Sequence, residues 1–150
     1  MEILYRVFFI LSILALSACE TVQPIKTTAS GRPEAIFYGE TAESVSNKIA
    51  TGCMNKGLLI KDTSSSMVVC GKTMEGGEAV FAQMLVGNSY STTPEHNIRF
   101  SIVQINDDVK VVAYQWIESQ MAFGQINRQE LNSGKQFNDV QGFLNFIGGQ

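Results

Sequence analysis

The chain has 150 residues, 45% of them hydrophobic and 17% charged, with a formal net charge of -3 and a pI near 5.1. An acidic balance of this kind offers no basic footprint for nucleic acid or for an acidic membrane surface, which excludes DNA or RNA as the main partner. The apolar fraction excludes a wholly disordered chain, and the length suits one domain.

At the start of the chain, Arg6 is followed by the apolar run of residues 7–16. About ten apolar residues are too few for a permanent membrane span, which needs roughly 20, but they suit a secretory signal. Leu16-Ser17-Ala18-Cys19 closes the run. This tetrad resembles the lipobox of bacterial lipoproteins: a branched apolar residue, two small ones, then cysteine. Small residues let the chain enter a peptidase cleft, and a thiolate is nucleophilic enough to accept an acyl-bearing group. The resemblance implies cleavage between Ala18 and Cys19, a diacylglyceryl anchor with palmitate-class acyl chains on Cys19, and engagement of the lipoprotein-processing and sorting machinery. Residues 1–18 are then a signal peptide, leaving about 132 residues, a single-domain length.

Residues 19–33 read as a lipidated tether, rich in Thr, Ser and Gln and punctuated by Pro24, Gly31 and Pro33. Its fourteen residues beyond Cys19 reach about 45–50 Å when fully extended. Glu20 is not the aspartate that favours inner-membrane retention under the enterobacterial sorting rule. The expected address is therefore the cell envelope, the periplasmic side of the outer membrane ahead of the inner.

The domain spans residues 34–150. Residues 34–38 are expected to form a short strand, and Thr41 caps a helix in which Ala42, Val45, Ile49 and Cys53 share one face. Lys56-Gly57 ends it. Extended runs follow at residues 58–61, 67–72, 78–86, 97–105 and 109–118, separated by turn formers such as Ser64-Ser65-Ser66 and Asn106-Asp107-Asp108. The run 78–86 would also accept a helix. Phe137, Val140, Phe143 or Leu144, and Ile147 recur at helical spacing and predict a closing helix. The expected fold is α+β: an antiparallel meander of about five to six strands with two helices on one face. This layout is similar to the helix-grip domains of envelope-assembly lipoproteins such as BamC. Ser30-Gly31-Arg32-Pro33-Glu34-Ala35, Ser91-Thr92-Thr93-Pro94 and the segment from Phe137 to Leu144 resemble a group of small proteobacterial and prophage-borne lipoproteins. That second likeness implies the anchor and the fold without naming an activity.

Removing Cys19 from three cysteines leaves Cys53 and Cys70, expected to form a disulfide in an oxidising compartment. No cofactor or metal site is expected: the sole histidine, His96, is read in a polar turn without paired ligand spacing. Asp107-Asp108 reads as a solvated hairpin, and the glycines at 71, 76 and 77 lack the lysine and helix of a phosphate loop.

One feature points to binding. Val112, Tyr114 and Trp116 share one side of their strand, and Arg99, Ser101 and Val103 alternate on the next. If helices cover the other side, Arg99, Tyr114 and Trp116 form a docking face of the kind enriched at protein contacts. In the opposite register Tyr114 and Trp116 are core, and Val111 and Ala113 turn outward. The expected function is a non-catalytic, membrane-anchored envelope lipoprotein that binds another envelope protein or itself. A prophage-encoded surface-modifying or host-interaction factor is the alternative, and a periplasmic hydrolase ranks below both.

Overall fold

The computed structural model describes residues 22–150. The signal segment and the lipobox, Ala18 and Cys19 included, lie outside the described residues. The chain runs β1 (Glu34–Phe37), α1 (Ala42–Asn55), β2 (Leu59–Ser64), β3 (Met67–Thr73), α2 (Gly76–Val86), β4 (Glu95–Ile105), β5 (Asp108–Gln120), a 3₁₀ turn (Ala122–Gly124), β6 (Ile126–Glu130) and α3 (Gly134–Phe146).

The six strands form one antiparallel sheet in the order β1-β5-β4-β3-β2, with β6 also on β5. The long β5 strand serves two partners along one side: residues 109–112 pair with β1 and residues 116–120 with β6. The architecture is α+β, as expected, with three helices rather than two.

Thr41 and Ser133 set the helix starts. The Thr41 hydroxyl accepts the Ser44 amide at 3.2 Å, and Ser133 and Gln136 form a reciprocal capping box. Gly57, at φ +72°, follows α1 and turns the chain into β2. Val45, Ile49 and Cys53 on α1, with Val140 and Leu144 on α3, pack on Val68, Cys70, Phe100, Ile102, Val109, Val111 and Ala113 of the sheet. Gly52 lets the Phe143 ring approach α1 closely, and that ring meets Phe100 at 5.4 Å between centroids. The fully buried Gln141 of α3 accepts the Glu34 amide at 3.0 Å and donates to the Glu34 carbonyl at 3.1 Å. Its carboxamide thereby ties β1 to the helix layer.

The run 78–86 is helical rather than extended. Ala82 and Val86 of α2 bury against Ile117, which points to the same side of β5 as Val111 and Ala113. All three helices therefore cover one face and leave the other free. Sequence periodicity misread α2 because Val80, Phe81, Met84 and Leu85, on its outer side, are as apolar as its inner side. His96 is likewise in a strand, opposite Ile117, and not in a turn.

Residues 23–33 follow the surface of the domain. Asn138 on α3 donates to the Gln23 carbonyl at 2.9 Å and accepts the Ile25 amide at 2.7 Å. Gly134 at the start of α3 has its Cβ position filled by the Val22 carbonyl oxygen, 1.7 Å away.

Candidate functional site

The register of β5 decides which way the aromatic residues face. Val109, Val111 and Ala113 are buried under the helices, so Val112, Tyr114 and Trp116 lie on the helix-free side. On β4, Asn97, Arg99 and Ser101 stand opposite Trp116, Tyr114 and Val112. The sheet thus brings Arg99, Tyr114 and Trp116 together.

These rings do not stand bare. Tyr114 and Trp116 stack at 5.3 Å between centroids, and the Arg32 and Arg99 guanidinium groups sit 4.7 and 5.5 Å from the Tyr114 ring. Arg128 lies 5.0 Å from the Trp116 ring. Cations placed over ring faces are drawn by the negative face of the π system. The Trp116 indole donates to Glu118 Oε2 at 2.7 Å, and the same oxygen accepts from Arg128 Nε at 2.9 Å. Trp116 is consequently only 7% exposed although no helix covers it. Arg32 pairs with Glu130 at 3.0 Å across the junction where β1 and β6 meet on β5. Sequence reading missed Arg32, Glu118, Arg128 and Glu130 because β6 carries no apolar alternation and Arg32 lies in the presumed tether.

The cations on this face are matched with one exception. Arg32, Lys110 and Arg128 each pair with a carboxylate, and Lys61 pairs with Glu95. Arg99 has no carboxylate partner among the described residues. It stands between Val69 and Tyr114 across the sheet and between Asn97 and Ser101 along β4.

Below the Lys61–Glu95 bridge lies an anomaly. Asn97 is fully buried between Gly71 and Trp116, and neither Oδ1 nor Nδ2 has a hydrogen-bond partner. A Cβ on Gly71 would meet Asn97 Oδ1 at 2.2 Å and Lys61 Cε at 2.9 Å, so glycine is required for the carboxamide to fit.

The helix-covered side holds a groove of about 720 Å³ between α2 and the α1–α3 pair, with His96 and Gln115 among its lining and Phe81 and Phe143 on opposite sides. Burial first, then the nearby Lys72 charge, hold the His96 imidazole below its ordinary 6.5, opposed by Gln115 and Glu78. Its ring Nε2 stands 3.4 Å from Gln115 Oε1. Neither Lys56 nor Lys72, both lining the groove, has a carboxylate partner among the described residues. Among those residues, no three of His, Cys, Asp and Glu gather in a metal-binding group. The Ser64-Ser65-Ser66 stretch closes the β2–β3 hairpin, held to α1 by the Ser46 hydroxyl, which donates to the Ser64 carbonyl at 2.7 Å.

Cys53 and Cys70 are disulfide-bonded, with Cα atoms 6.3 Å apart, joining the end of α1 to β3 beneath the helix layer. No protein-family model, curated protein or solved structure matches the chain.

Proposed function

We propose that the chain is a non-catalytic envelope lipoprotein, anchored through Cys19, that docks another envelope protein on its helix-free sheet face. The anchor rests on Leu16-Ser17-Ala18-Cys19 after an apolar run too short to span a bilayer. The Cys53–Cys70 bond supports an oxidising compartment such as the periplasm.

The observation that carries the docking is Arg99: an exposed cation without a carboxylate partner among the described residues, beside the Tyr114 ring on a sheet face whose other cations are paired. A partner presenting an acidic side chain within an apolar patch would complete it, since interface cores combine aromatic and arginine anchors with apolar surroundings. The edge strand β2 is a poorer docking element, because its register shifts between Ile60 and Asp62 and it carries Lys61 and Asp62.

The test is crosslinking capture from envelope membranes with the lipidated chain and with an Arg99→Glu/Val103→Glu variant. Both positions are exposed, so the variant keeps its fold, checked by circular dichroism. Specific loss of one crosslinked protein is expected. An unchanged crosslink pattern from a folded variant would remove the face from consideration.

A further inference from the structure

We infer that the outer side of α2 seats on the phospholipid surface beside the lipid on Cys19, giving the domain a second membrane contact and a fixed orientation. This rests on the lipid-anchor reading.

In α2 the buried residues are Ala82 and Val86, directed at the sheet. The opposite side presents Val80, Phe81, Met84 and Leu85, which fall on one stripe at helical spacing; Phe81 is 65% and Met84 78% exposed. A helix of a water-surrounded domain normally turns polar residues outward. Here Glu78 and Gln83 are the helix's polar side chains, and they flank the stripe. Tyr90, in the loop after α2, is also exposed.

The course of the N-terminal segment says what covers this side. Val22 is lodged against Gly134, and Gln23 and Ile25 are held by Asn138. Two residues separate Cys19 from Val22, so the lipid attaches at most about 10 Å along the chain from Val22. The start of α3 faces α2 across the groove, which both Lys135 and Phe81 line, close enough for Glu78 to act on the Lys135 charge. The anchor therefore leaves beside the helix start that looks across the groove to α2.

A helix of eleven residues binds a bilayer weakly by itself. Held at the surface by a covalent lipid, it meets the bilayer at high effective concentration, and burying its stripe becomes favourable.

The test uses the full lipidated chain in phosphatidylethanolamine–phosphatidylglycerol vesicles with brominated acyl chains, which quench nearby tryptophan. Phe81→Trp is compared with Val103→Trp on the helix-free face and with the wild type, whose single tryptophan is buried. Phe81→Trp emission should fall by about half, with little change in the other two. Equal quenching of both variants while the chain stays on the vesicles overturns the seating and leaves the anchor intact. Blue-shifted but unquenched emission from Phe81→Trp means a protein surface, a second copy included, covers α2, and also overturns it. A wild-type chain that takes up no acyl label and does not float with vesicles sinks the anchor, and this inference with it.

Discussion

Asn97 concentrates the cost of this fold in one side chain. A buried polar atom without a partner costs about 1–3 kcal/mol, because water is given up with nothing in return. Leucine has nearly the same shape and no polar atoms. Asn97→Leu is therefore expected to raise the urea midpoint by the equivalent of about 1 kcal/mol; a destabilised variant would mean that the carboxamide finds partners in solution. His96 makes a second prediction through its proton. Its folded-state pKa is depressed by burial, so as pH falls through the ordinary 6.5 the unfolded chain takes up the proton first. The contribution of His96 is complete above that value and is lost below it. Comparing urea unfolding at about pH 7.5 and about pH 5.5 should show a loss that shrinks in His96→Gln. Glu40 does not confound this window. The Lys48 ammonium outweighs burial and, with Ser44, holds its carboxyl below 4.5, so its contribution is lost only at lower pH.

Among the elements, α1 and α3 are joined by a contact that sequence does not announce. A Cβ at Gly52 would lie 2.7 Å from the Phe143 ring, which Phe100 backs from below. Alanine gains about 1 kcal/mol of helix propensity. Overpacking at a wedged ring costs about 1–3 kcal/mol, so Gly52→Ala should lower the thermal midpoint. Reducing the Cys53–Cys70 bond should cost more, about 3 kcal/mol in the chain-entropy model for a separation of 17 residues. Denaturant unfolding with and without reductant checks it. The amphipathic helices α1 and α3, the Thr41 cap, the strands β1 to β5 and the cysteine pair were legible because each has a local signature. Three things were not. The outer side of α2 hides its period, the polar run Ile126–Glu130 becomes a strand only because β5 offers a partner, and the rings of Tyr114 and Trp116 could be assigned a side only once Val111 and Ala113 were seen packed.

At the scale of the whole molecule, the fourteen-residue reach read from composition shortens to a few residues, because Asn138 and Gly134 hold residues 22–25 against α3. Side-chain hydrogen bonds spanning 113 and 115 positions leave no mark in a single sequence. Gly134→Ala would drive a methyl group into the Val22 carbonyl. The expected result is release of the segment with the fold retained, read as faster proteolysis near residues 22–28; unchanged proteolysis would show that docking does not depend on this glycine.

Under the proposed lipid anchor, copies would be concentrated in the plane of a membrane and meet far more often than in solution, and the edges of the sheet then matter. An open strand edge there is a template for fibre growth. On β1, the Ile36 amide donates to the Gln150 carbonyl at 2.9 Å and the Ile36 carbonyl accepts from the Gln150 amide at 3.0 Å, so that edge is occupied by the chain itself. On β2 the bulge breaks the register, and β6 is short and charged. Crowded copies then meet without an open edge to pair through, and removing Gly149 and Gln150 would expose the β1 edge to a second copy.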